Sequence, residues 1–379
     1  MKVLVCDYVG NSAQWLQNFT LRGNFEIVET LTPDSDKKLL TENFWDYLLI
    51  FENGARNIFD TMAQFMKIDA KKIIYALDWN SWAAHPAAVY SMLNPQGGGY
   101  AYRLLTFNTA RQFNYFTTCT THDGMHYIAT SRDHALIPFM YRNNQTWAEV
   151  EMKFFHDLVK RFYQVDDNNG YFLDLGANIG TTGIYFTKKI APNLKLLAFE
   201  PDPENFKLLR ANLILNDADK NTIIENCGLG MEESELTLYT DDINPGARRF
   251  FSTGQQKKVV GTVKVIPLDK YFTDNKLSAA EIKYIWIDTE GFEPQVLLGA
   301  QNILRGNPAP IFMEFNPDVY KKFNMYERMM NLLTELYESY IYVDEALKTN
   351  KVVVYPINKL WDFQNVGKQI GDIFLIRKS

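Results

Sequence analysis

A glycine-rich turn between an apolar strand and a helix is the feature that most constrains the fold of this chain. The segment Leu173-Asp-Leu-Gly-Ala-Asn-Ile-Gly180 continues an apolar run, and a helical pattern begins near Gly180. Glycines let the backbone turn sharply and approach a ligand closely, and the first turn of a helix offers N–H groups that have no partner inside the helix. The turn therefore predicts a ligand site. It departs from the dinucleotide-binding fingerprint, because Asn178 and Thr181 stand where two further glycines belong.

Strands and helices alternate in two blocks, which favours an α/β fold with mostly parallel sheets. The first block has predicted strands at residues 2–7, 25–29, 47–51 and 72–77, with a helix at 55–66. The second block has predicted strands at 171–175, 196–200, 222–227, 284–288 and 311–315, helices at 180–190, 203–215 and 294–304, and late strands at 340–344, 352–357 and 372–377. This order is typical of a parallel sheet that is completed by an antiparallel last strand.

The chain is long enough for two domains. Its 379 residues exceed what a single hydrophobic core ordinarily organises. We predict a smaller α/β domain at residues 1–145 and a larger domain at residues 146–379, with a helix at 147–163 leading into the second. The role we expect for the first domain is recognition of an acceptor or self-association.

A hairpin is predicted before the second domain. Apolar runs flank His122-Asp-Gly124, and Asp-Gly is a common hairpin turn. His122, Asp123 and His126 raise the alternative of a metal site there, but solvated polar residues at a hairpin tip are far commoner. The loop at 94–99 is rich in glycine, yet no phosphate-binding helix start follows it.

Composition and charge exclude several classes of protein. The formal net charge is −6, so the chain has no general attraction to nucleic acid or to anionic membranes. No stretch reaches the roughly 18 apolar residues that a membrane span needs, and the first residues lack the pattern of a signal peptide. We therefore expect a cytoplasmic protein without a membrane span. Three widely spaced cysteines do not make a disulfide framework.

A carboxylate ends the strand after the glycine turn. Glu200 follows Gly180 by twenty residues, at the carboxyl end of the predicted strand at 196–200. A carboxylate in this position can accept hydrogen bonds from both hydroxyls of a ribose. The pattern fits NAD or S-adenosylmethionine equally well, because both carry a nucleoside.

An acidic motif ends the fourth strand of the second block. Asp288, Glu290 and Glu293 crowd the carboxyl end of that strand, where open α/β sheets bind their ligands. Pro294 suits the first turn of the next helix. Glu293 also fits a purely structural role at that helix start, whereas clustered carboxylates at 288 and 290 favour a functional role.

Four ordered motifs resemble the FkbM family of methyltransferases across about residues 150 to 316. They are Asp174-Leu-Gly-Ala-Asn-Ile-Gly180, Phe199-Glu-Pro-Asp-Pro-Glu-Asn-Phe206 with Leu209, Asn212 and Asn216, Pro267-Leu-Asp269, and Asp288-Thr-Glu-Gly-Phe-Glu293 with Leu298-Gly-Ala300. The resemblance implies a class I methyltransferase fold, S-adenosylmethionine as cofactor, and O-methylation, often of sugar or natural-product hydroxyls. Trp286 is a departure, because many members have lysine at this position. The first 145 or so residues lie outside the resemblance.

The site residues follow from these motifs and the resemblance. We predict cofactor contacts at Asp174, Gly176, Asn178, Gly180, Glu200 and Asp288, and catalytic roles at Asp288, Glu290 and Glu293. A carboxylate would orient or deprotonate the acceptor hydroxyl. The same carboxylates can also hold Mg²⁺, but we favour a metal-free site because no further ligand set has a recognisable spacing.

The leading hypothesis is an S-adenosylmethionine-dependent O-methyltransferase that acts on a hydroxyl of a sugar, glycan or natural product. The alternatives are an NAD-dependent oxidoreductase and a non-catalytic glycan-binding protein that kept the fold. Asn178 and the acidic motif argue against the first, and the presence of Glu200 and Asp288 argues against the second. Neither a nucleic-acid partner nor a membrane partner is expected, and a homo-oligomer stays open.

Overall fold

The computed structural model describes residues 2–7, 26–31, 47–51, 73–76, 116–130, 133, 135–240, 249–250, 258–366 and 370–378. Contacts divide the chain into two compact units. One comprises Met1–Tyr115 with Tyr141–Asn143, and the other comprises Phe116–Met140 with Asn144–Ser379. The sequence placed a boundary at residue 145, whereas the contacts assign residues 116–140 to the second unit, because the hairpin there packs on a helix of that unit.

The first unit contains a four-stranded parallel sheet, as its alternating pattern predicts. Its strands are β1 (Lys2–Asp7), β2 (Glu26–Leu31), β3 (Tyr47–Phe51) and β4 (Ile73–Ala76). They lie in the order β2-β1-β3-β4. The predicted helix at 55–66 and the predicted loop at 94–99 lie outside the described residues.

The second unit is built on an eight-stranded sheet. The strands of this unit, in chain order, are β5 (Phe116–Thr120), β6 (His126–Thr130), β7 (Tyr171–Leu175), β8 (Lys195–Phe199), β9 (Thr222–Glu225), β10 (Gly228–Leu229), β11 (Ser234–Thr240), β12 (Lys258–Ile266), β13 (Ile282–Ile287), β14 (Ile311–Phe315), β15 (Tyr337–Tyr342), β16 (Val354–Pro356) and β17 (Gly371–Arg377). Strands β5 and β6 pair only with each other, as a hairpin. Strands β10, β12 and β11 form a separate three-stranded sheet.

Helices cover the large sheet on both faces. They are α1 (Leu136–Asn143), α2 (Glu149–Phe162), α3 (Thr181–Tyr185), α4 (Pro203–Leu215), α5 (Leu268–Asp274), α6 (Glu293–Gly299), α7 (Gln301–Gly306), α8 (Pro317–Lys322), α9 (Tyr326–Leu336) and α10 (Val343–Thr349). No helix among the described residues is long and apolar enough to cross a bilayer.

The strand order confirms the expected sheet. It runs β16-β15-β17-β14-β13-β7-β8-β9. Strands β9, β8, β7, β13 and β14 are parallel, and β17 is antiparallel to both β14 and β15. The last strand of the chain is therefore inserted antiparallel between two earlier ones, as the class I methyltransferase fold requires. The order reverses beside β7, so the loops after β7, β8 and β13 converge at the edge where open α/β sheets bind ligands.

Alternate residues of the strands fill two different cores. One face of the sheet presents aliphatic residues such as Leu173, Ile285 and Met313 to helices α5, α6 and α9. The other face is aromatic. There Phe155 of α2 contacts the rings of Phe186, Tyr284, Trp286, Phe312 and Phe374. The sheet is thus buried on both faces, which explains why its strands are nearly continuous apolar runs.

Two predicted helices differ in detail. The predicted helix at 180–190 is a short α-helix, α3, that continues as a π-helical turn at Phe186–Ile190. The predicted helix at 294–304 is two helices, because Ala300 ends α6 with non-helical backbone angles and α7 begins after it. These changes leave both helix N-termini at the carboxyl edge of the sheet.

Candidate functional site

The glycine turn after β7 is held against both neighbouring strands. The backbone N–H groups of Gly176 and Ala177 donate to the carbonyl oxygen of Phe199 at the end of β8, at 3.1 and 2.9 Å. Gly176 has φ of +100°, and a Cβ there would overlap the backbone carbonyl oxygen of Asp288. Only glycine fits both the backbone angle and this contact. The turn and the acidic motif after β13 are therefore in direct backbone contact.

Glu200 closes the turn from the next strand. Its side chain is buried, and Oε2 accepts a hydrogen bond of 2.7 Å from the N–H of Asn178, while Oε1 accepts one of 2.8 Å from the N–H of Asp202. Asn178 has left-handed backbone angles with φ of +52°, which asparagine tolerates better than most residues. The carboxylate is fixed in orientation by two backbone donors, and a carboxylate can accept about four hydrogen bonds in all.

Asp174 and Gly180 lie behind the turn. Oδ2 of Asp174 accepts a hydrogen bond of 2.8 Å from the N–H of Gly183 in α3, and the side chain is 1% exposed. Gly180 has φ of +88° and packs against Leu209 and Ile184. Both residues therefore support the turn from the protein interior.

Burial raises the pKa of Asp174 to about 7, against a smaller opposing effect of its hydrogen bond from Gly183. A carboxyl whose pKa rises on folding favours the folded state at low pH, and this contribution is lost as pH rises from the unfolded pKa near 4 towards 7. We expect Asp174→Asn to raise the unfolding temperature relative to the wild type by several degrees more at pH 8 than at pH 5, measured by differential scanning fluorimetry.

The exposed Asp157 provides the control for this comparison. Asp157→Asn should leave the pH dependence of the unfolding temperature unchanged. The buried amide introduced at position 174 shifts the unfolding temperature equally at pH 5 and pH 8. The test therefore compares how much the unfolding temperature differs between the two pH values. A change of the same size in both variants would contradict the assignment to Asp174.

The three carboxylates of the acidic motif have three different environments. Asp288 is deep in the cleft with its side chain exposed to the pocket. Glu290 forms an ion pair with Arg249, in which Nε and Nη2 donate to Oε2 at 3.2 and 2.7 Å. Glu293 is completely buried. The three carboxylates are therefore neighbours in sequence, but one faces the pocket, one is paired with an arginine and one is buried.

Glu293 organises the loop that carries the other two. Its Oε1 accepts hydrogen bonds from the N–H and hydroxyl of Thr289, both 2.9 Å, and from the N–H of Gly291 at 3.1 Å. Its Oε2 accepts one from the hydroxyl of Tyr320 at 2.9 Å. Its burial raises its pKa, and these hydrogen bonds oppose the rise. Glu293 thus shapes the loop at Thr289–Gly291, which includes Glu290 with its left-handed φ of +55°.

Asp288 has further acidic neighbours. Ile287 pairs with Met313, so Asp288 follows β13 at the level of Glu314 on β14, and Glu314 pairs directly with Asp372 on β17. Burial and the charges of Glu290 and Glu314 hold the pKa of Asp288 well above its usual range. Burial and nearby carboxylates raise the pKa of Glu314 to about 8, and burial raises that of Asp372 to about 7.

One cleft joins these loops at the carboxyl edge of the sheet. It encloses about 830 Å³ of space open to solvent. The predicted site residues that line it are Gly176, Asn178, Glu200, Asp288 and Glu290. The other predicted residues, Asp174, Gly180 and Glu293, lie behind its wall. Across the described residues, no group of three or more histidine, cysteine, aspartate or glutamate side chains is arranged to hold a metal ion.

A family model of the methyltransferase FkbM domain matches residues 174–342. Residues 174–342 are therefore similar to the FkbM methyltransferase family, as the four motifs predict. The match begins inside β7, just before the glycine turn, and ends with β15. It therefore contains the loops after β7, β8 and β13, which carry the site residues.

Two proteins named as methyltransferases resemble part of the chain. Methyltransferase sdnD of Sordaria araneosa is 30% identical over an alignment of 158 positions, which covers 35% of this chain and 61% of that protein. Methyltransferase 1 of Beauveria bassiana strain ARSEF 2860 is 24% identical over an alignment of 172 positions, which covers 40% of this chain and 68% of that protein. The chain thus spans about two thirds of the length of these relatives.

Solved structures overlap weakly with the whole chain. A methyltransferase FkbM from Methylobacillus flagellatus KT has 12% identity and a TM-score of 0.31, covering 87% of this chain and 84% of that one. An O-methyltransferase from Bacillus cereus, in complex with SAH, has 10% identity and a TM-score of 0.37, covering 79% and 99%. The strand order, rather than these overlaps, establishes the fold.

Trp286, the departure from the family pattern, both packs and lines the cleft. Its ring stacks on Phe312 with centroids 4.0 Å apart and an interplanar angle of 7°. Its side chain is 6% exposed, and that part faces the pocket. The ring therefore presents a rigid apolar surface two residues before Asp288, where the resemblance led us to expect a lysine.

Sequence reasoning gave no site role to several pocket residues. Leu136, Trp147, Cys227 and Phe250 lie outside the four motifs, whereas Asn205 and Phe292 lie inside two of them without an assigned role. The ring of Trp147 packs edge-on against Phe139, and that of Phe250 lies 4.7 Å from Phe292. A motif search does not find apolar wall residues of this kind, because their spacing in sequence carries no chemical signal.

The hairpin histidines have local partners. Nδ1 of His122 lies 2.8 Å from the carbonyl oxygen of Asn144, and Nδ1 of His126 lies 2.9 Å from Oγ1 of Thr120. Asp123 accepts a hydrogen bond of 2.5 Å from the hydroxyl of Thr121. These contacts explain the polar tip of the hairpin as ordinary turn structure.

Proposed function

We propose that this protein is an S-adenosylmethionine-dependent O-methyltransferase that acts on a hydroxyl of a sugar, glycan or natural-product acceptor. One observation carries the proposal. Two carboxyl groups line the same cleft on either side of the glycine turn. Glu200 is placed as a ribose-binding carboxylate would be, and Asp288 has a raised pKa. The similarity to the FkbM family and the two relatives named as methyltransferases support the transfer of a methyl group.

The residues at the turn fit the nucleoside part of this cofactor. Glu200 presents a carboxylate of fixed orientation for the two ribose hydroxyls, and the absence of a side chain at Gly176 allows close approach to the backbone. Cys227, Leu229, Phe250 and Phe292 supply an apolar wall next to Glu200. When bound, the cofactor supplies an electrophilic methyl group attached to a sulfonium.

Asp288 is the residue best placed to handle the acceptor proton. An aliphatic hydroxyl is a weak nucleophile near neutral pH, so a base that takes its proton during attack accelerates the transfer. A base is most effective when its pKa is near the working pH, and burial with neighbouring carboxylates raises the pKa of Asp288 in that direction. Glu290, which is paired with Arg249, would position the loop and the acceptor.

The cofactor assignment is tested by replacing Glu200. Glu200→Ala removes an acceptor for two hydroxyls, each charge-assisted bond being worth about 1.5–3 kcal/mol. We expect at least a tenfold loss of S-adenosylmethionine affinity by isothermal titration calorimetry, with an unchanged far-ultraviolet circular dichroism spectrum.

Asp202→Ala is the matched control for Glu200→Ala. Asp202 lies two residues away and accepts hydrogen bonds from the N–H groups of Glu204 and Asn205 at the start of α4. It is buried, and it is not part of the cleft wall. Its loss should lower stability with a smaller effect on affinity. Equal affinity in the wild type and Glu200→Ala would place the ribose elsewhere, and tight NAD binding would favour the oxidoreductase instead.

The acceptor is sought by transfer of labelled methyl groups into fractionated host glycans, lipids and small metabolites. Transfer to an amine or a carbon in place of a hydroxyl would correct the class of acceptor but retain the cofactor. The proposed role of residues 1–145 in acceptor recognition or self-association stays a prediction, as does a cytoplasmic location.

A further inference from the structure

Two buried asparagines hold the hairpin, one inside α4 and one at its C-cap. Asn212 and Asn216 are one helical turn apart, and their side chains are 0% and 7% exposed. Oδ1 of Asn212 accepts a hydrogen bond from Ile128 N–H at 2.7 Å, and its Nδ2 donates to the Ile128 carbonyl oxygen at 3.1 Å. Asn216 does the same with His126, at 2.9 and 2.6 Å. Each amide therefore pairs with one residue of β6 as a neighbouring strand would.

Asn212 makes one contact that Asn216 does not. Its Nδ2 also donates a hydrogen bond of 2.8 Å to the carbonyl oxygen of Ile179, which lies in the glycine turn. The remaining bond of Asn216 goes to the carbonyl oxygen of Asn212, inside the same helix. The two asparagines are thus equivalent towards the hairpin, but only Asn212 reaches the turn beside the cleft.

The hairpin contacts the same region through Tyr127. Tyr127 lies between His126 and Ile128, the two residues of β6 that the asparagines bind, and it is completely buried. Its hydroxyl lies 3.4 Å from Oγ1 of Thr146 and makes a long hydrogen bond of 3.5 Å to the carbonyl oxygen of Thr181. Thr181 begins α3 and lines the cleft. The hairpin, which precedes the residues similar to the FkbM family, therefore adjoins the turn at both Ile179 and Thr181.

We infer that Asn212 is a positioning residue for cofactor binding, which couples the hairpin at 116–130 to the glycine turn. The turn contains left-handed backbone at Asn178 and Gly180. Glycine adopts this backbone freely, but at a residue such as Asn178 it persists only where its surroundings fix it. The bond from Asn212 fixes the Ile179 carbonyl between these two residues, and so keeps the N–H of Asn178 directed at Glu200. The effect on the cofactor rests on the proposed function, whereas the effect on the turn does not.

The test compares Asn212→Ala with Asn216→Ala in the full chain. Both variants lose a pair of hydrogen bonds to β6, so both should lower the unfolding temperature by similar amounts. Hydrogen–deuterium exchange followed by mass spectrometry then reports on residues 176–184. We expect at least tenfold faster exchange there in Asn212→Ala and wild-type exchange in Asn216→Ala.

Cofactor affinity gives the second measurement. We expect S-adenosylmethionine to bind at least fivefold more weakly to Asn212→Ala, and within twofold of the wild type to Asn216→Ala. The pair Asn212→Ser and Asn216→Ser serves if the alanine variants do not fold, because serine keeps a small uncharged polar group in each buried site and is too short to reach both β6 and Ile179.

The results separate this inference from the proposed function. Equal exchange at residues 176–184 in the two variants would overturn the role of Asn212, whatever the cofactor affinity. Failure of the wild type to bind S-adenosylmethionine would overturn the proposed function and leave the exchange comparison valid. Faster exchange in Asn212→Ala with unchanged affinity would show that the turn is held but that holding it does not serve the cofactor, which also contradicts the inference.

Discussion

Asp288→Asn is expected to lower the rate of methyl transfer by about 10² to 10⁴, the usual contribution of a general base, with S-adenosylmethionine affinity changed by less than about threefold. Asparagine keeps the shape of the side chain but cannot accept the acceptor proton. The wild-type rate should rise with pH through the raised pKa of Asp288, since only the ionised carboxylate acts as a base. The variant should lack this rise. Single-turnover kinetics over a range of pH would measure both effects.

Glu290→Gln is the matched control for the loss of Asp288. It removes a charge from the same cleft and breaks the ion pair with Arg249, but it leaves the carboxyl of Asp288 in place. A smaller loss of rate, with the pH dependence retained, would assign proton transfer to Asp288. If both variants keep the wild-type rate, positioning alone carries the reaction. Loss of wild-type activity with a chelator, restored by Mg²⁺, would instead assign the carboxylates to a metal ion.

Gly176→Ala is expected to weaken S-adenosylmethionine binding by about 10²-fold, the order of effect that a displacement of about 1 Å has in a site of fixed geometry. The new Cβ would overlap the carbonyl oxygen of Asp288, which is backbone and cannot rotate away. Left-handed backbone also costs an alanine about 1–2 kcal/mol. The ends of β7 and β13 must therefore separate, which moves the turn and the acidic motif together. Calorimetry and thermal unfolding would measure the two consequences.

Gly261→Ala controls for the general effect of adding a methyl group to a glycine in this unit. Gly261 lies in β12, where an added Cβ meets no atom within 4 Å. This variant should bind S-adenosylmethionine like the wild type and unfold at nearly the same temperature. Wild-type affinity in Gly176→Ala would mean that the two strand ends yield without disturbing the site.

The elements of the second unit could be predicted from the sequence because the strands are short apolar runs separated by strong turn signals. Strand Tyr171–Leu175 and helix Pro203–Leu215 were placed to the residue. The π-helical turn at Phe186–Ile190 and the break at Ala300 were missed. The π-helical turn contains no glycine or proline that would signal it. The break at Ala300 directly follows Gly299, but a single glycine can also lie inside a helix, so it did not mark the break by itself.

The division of labour within the acidic motif could not be predicted. Spacing placed Asp288, Glu290 and Glu293 together, but their roles depend on partners far away in sequence. Arg249 precedes Glu290 by 41 residues, and Tyr320 follows Glu293 by 27. The direction of each side chain is set by the left-handed backbone at Glu290 and by the start of α6, which spacing alone does not fix.

The hydrogen bonds from Asn212 and Asn216 to the hairpin correspond to a sequence signal that can be recognised in retrospect. Asparagine is a poor residue for a helix interior, because its side chain competes for backbone hydrogen bonds. Asn212 lies inside α4, so its presence there indicates a side chain with specific backbone partners, and Asn216 follows four residues later at the C-cap. The partner strand at His126–Thr130 is more than 80 residues away, so its identity required the structure.

The carboxyl groups with raised pKa values also change how the molecule behaves as an acid. The composition gives an isoelectric point of about 5.5, on the assumption that every carboxyl titrates as it does in water. Asp174, Asp288, Glu293, Glu314 and Asp372 all have raised pKa values, so they hold protons at a pH where surface carboxyls have lost theirs. Each proton retained removes one negative charge. Near neutral pH, the described part of the folded chain therefore carries less negative charge at these positions than the composition predicts, which weakens its binding to an anion exchanger.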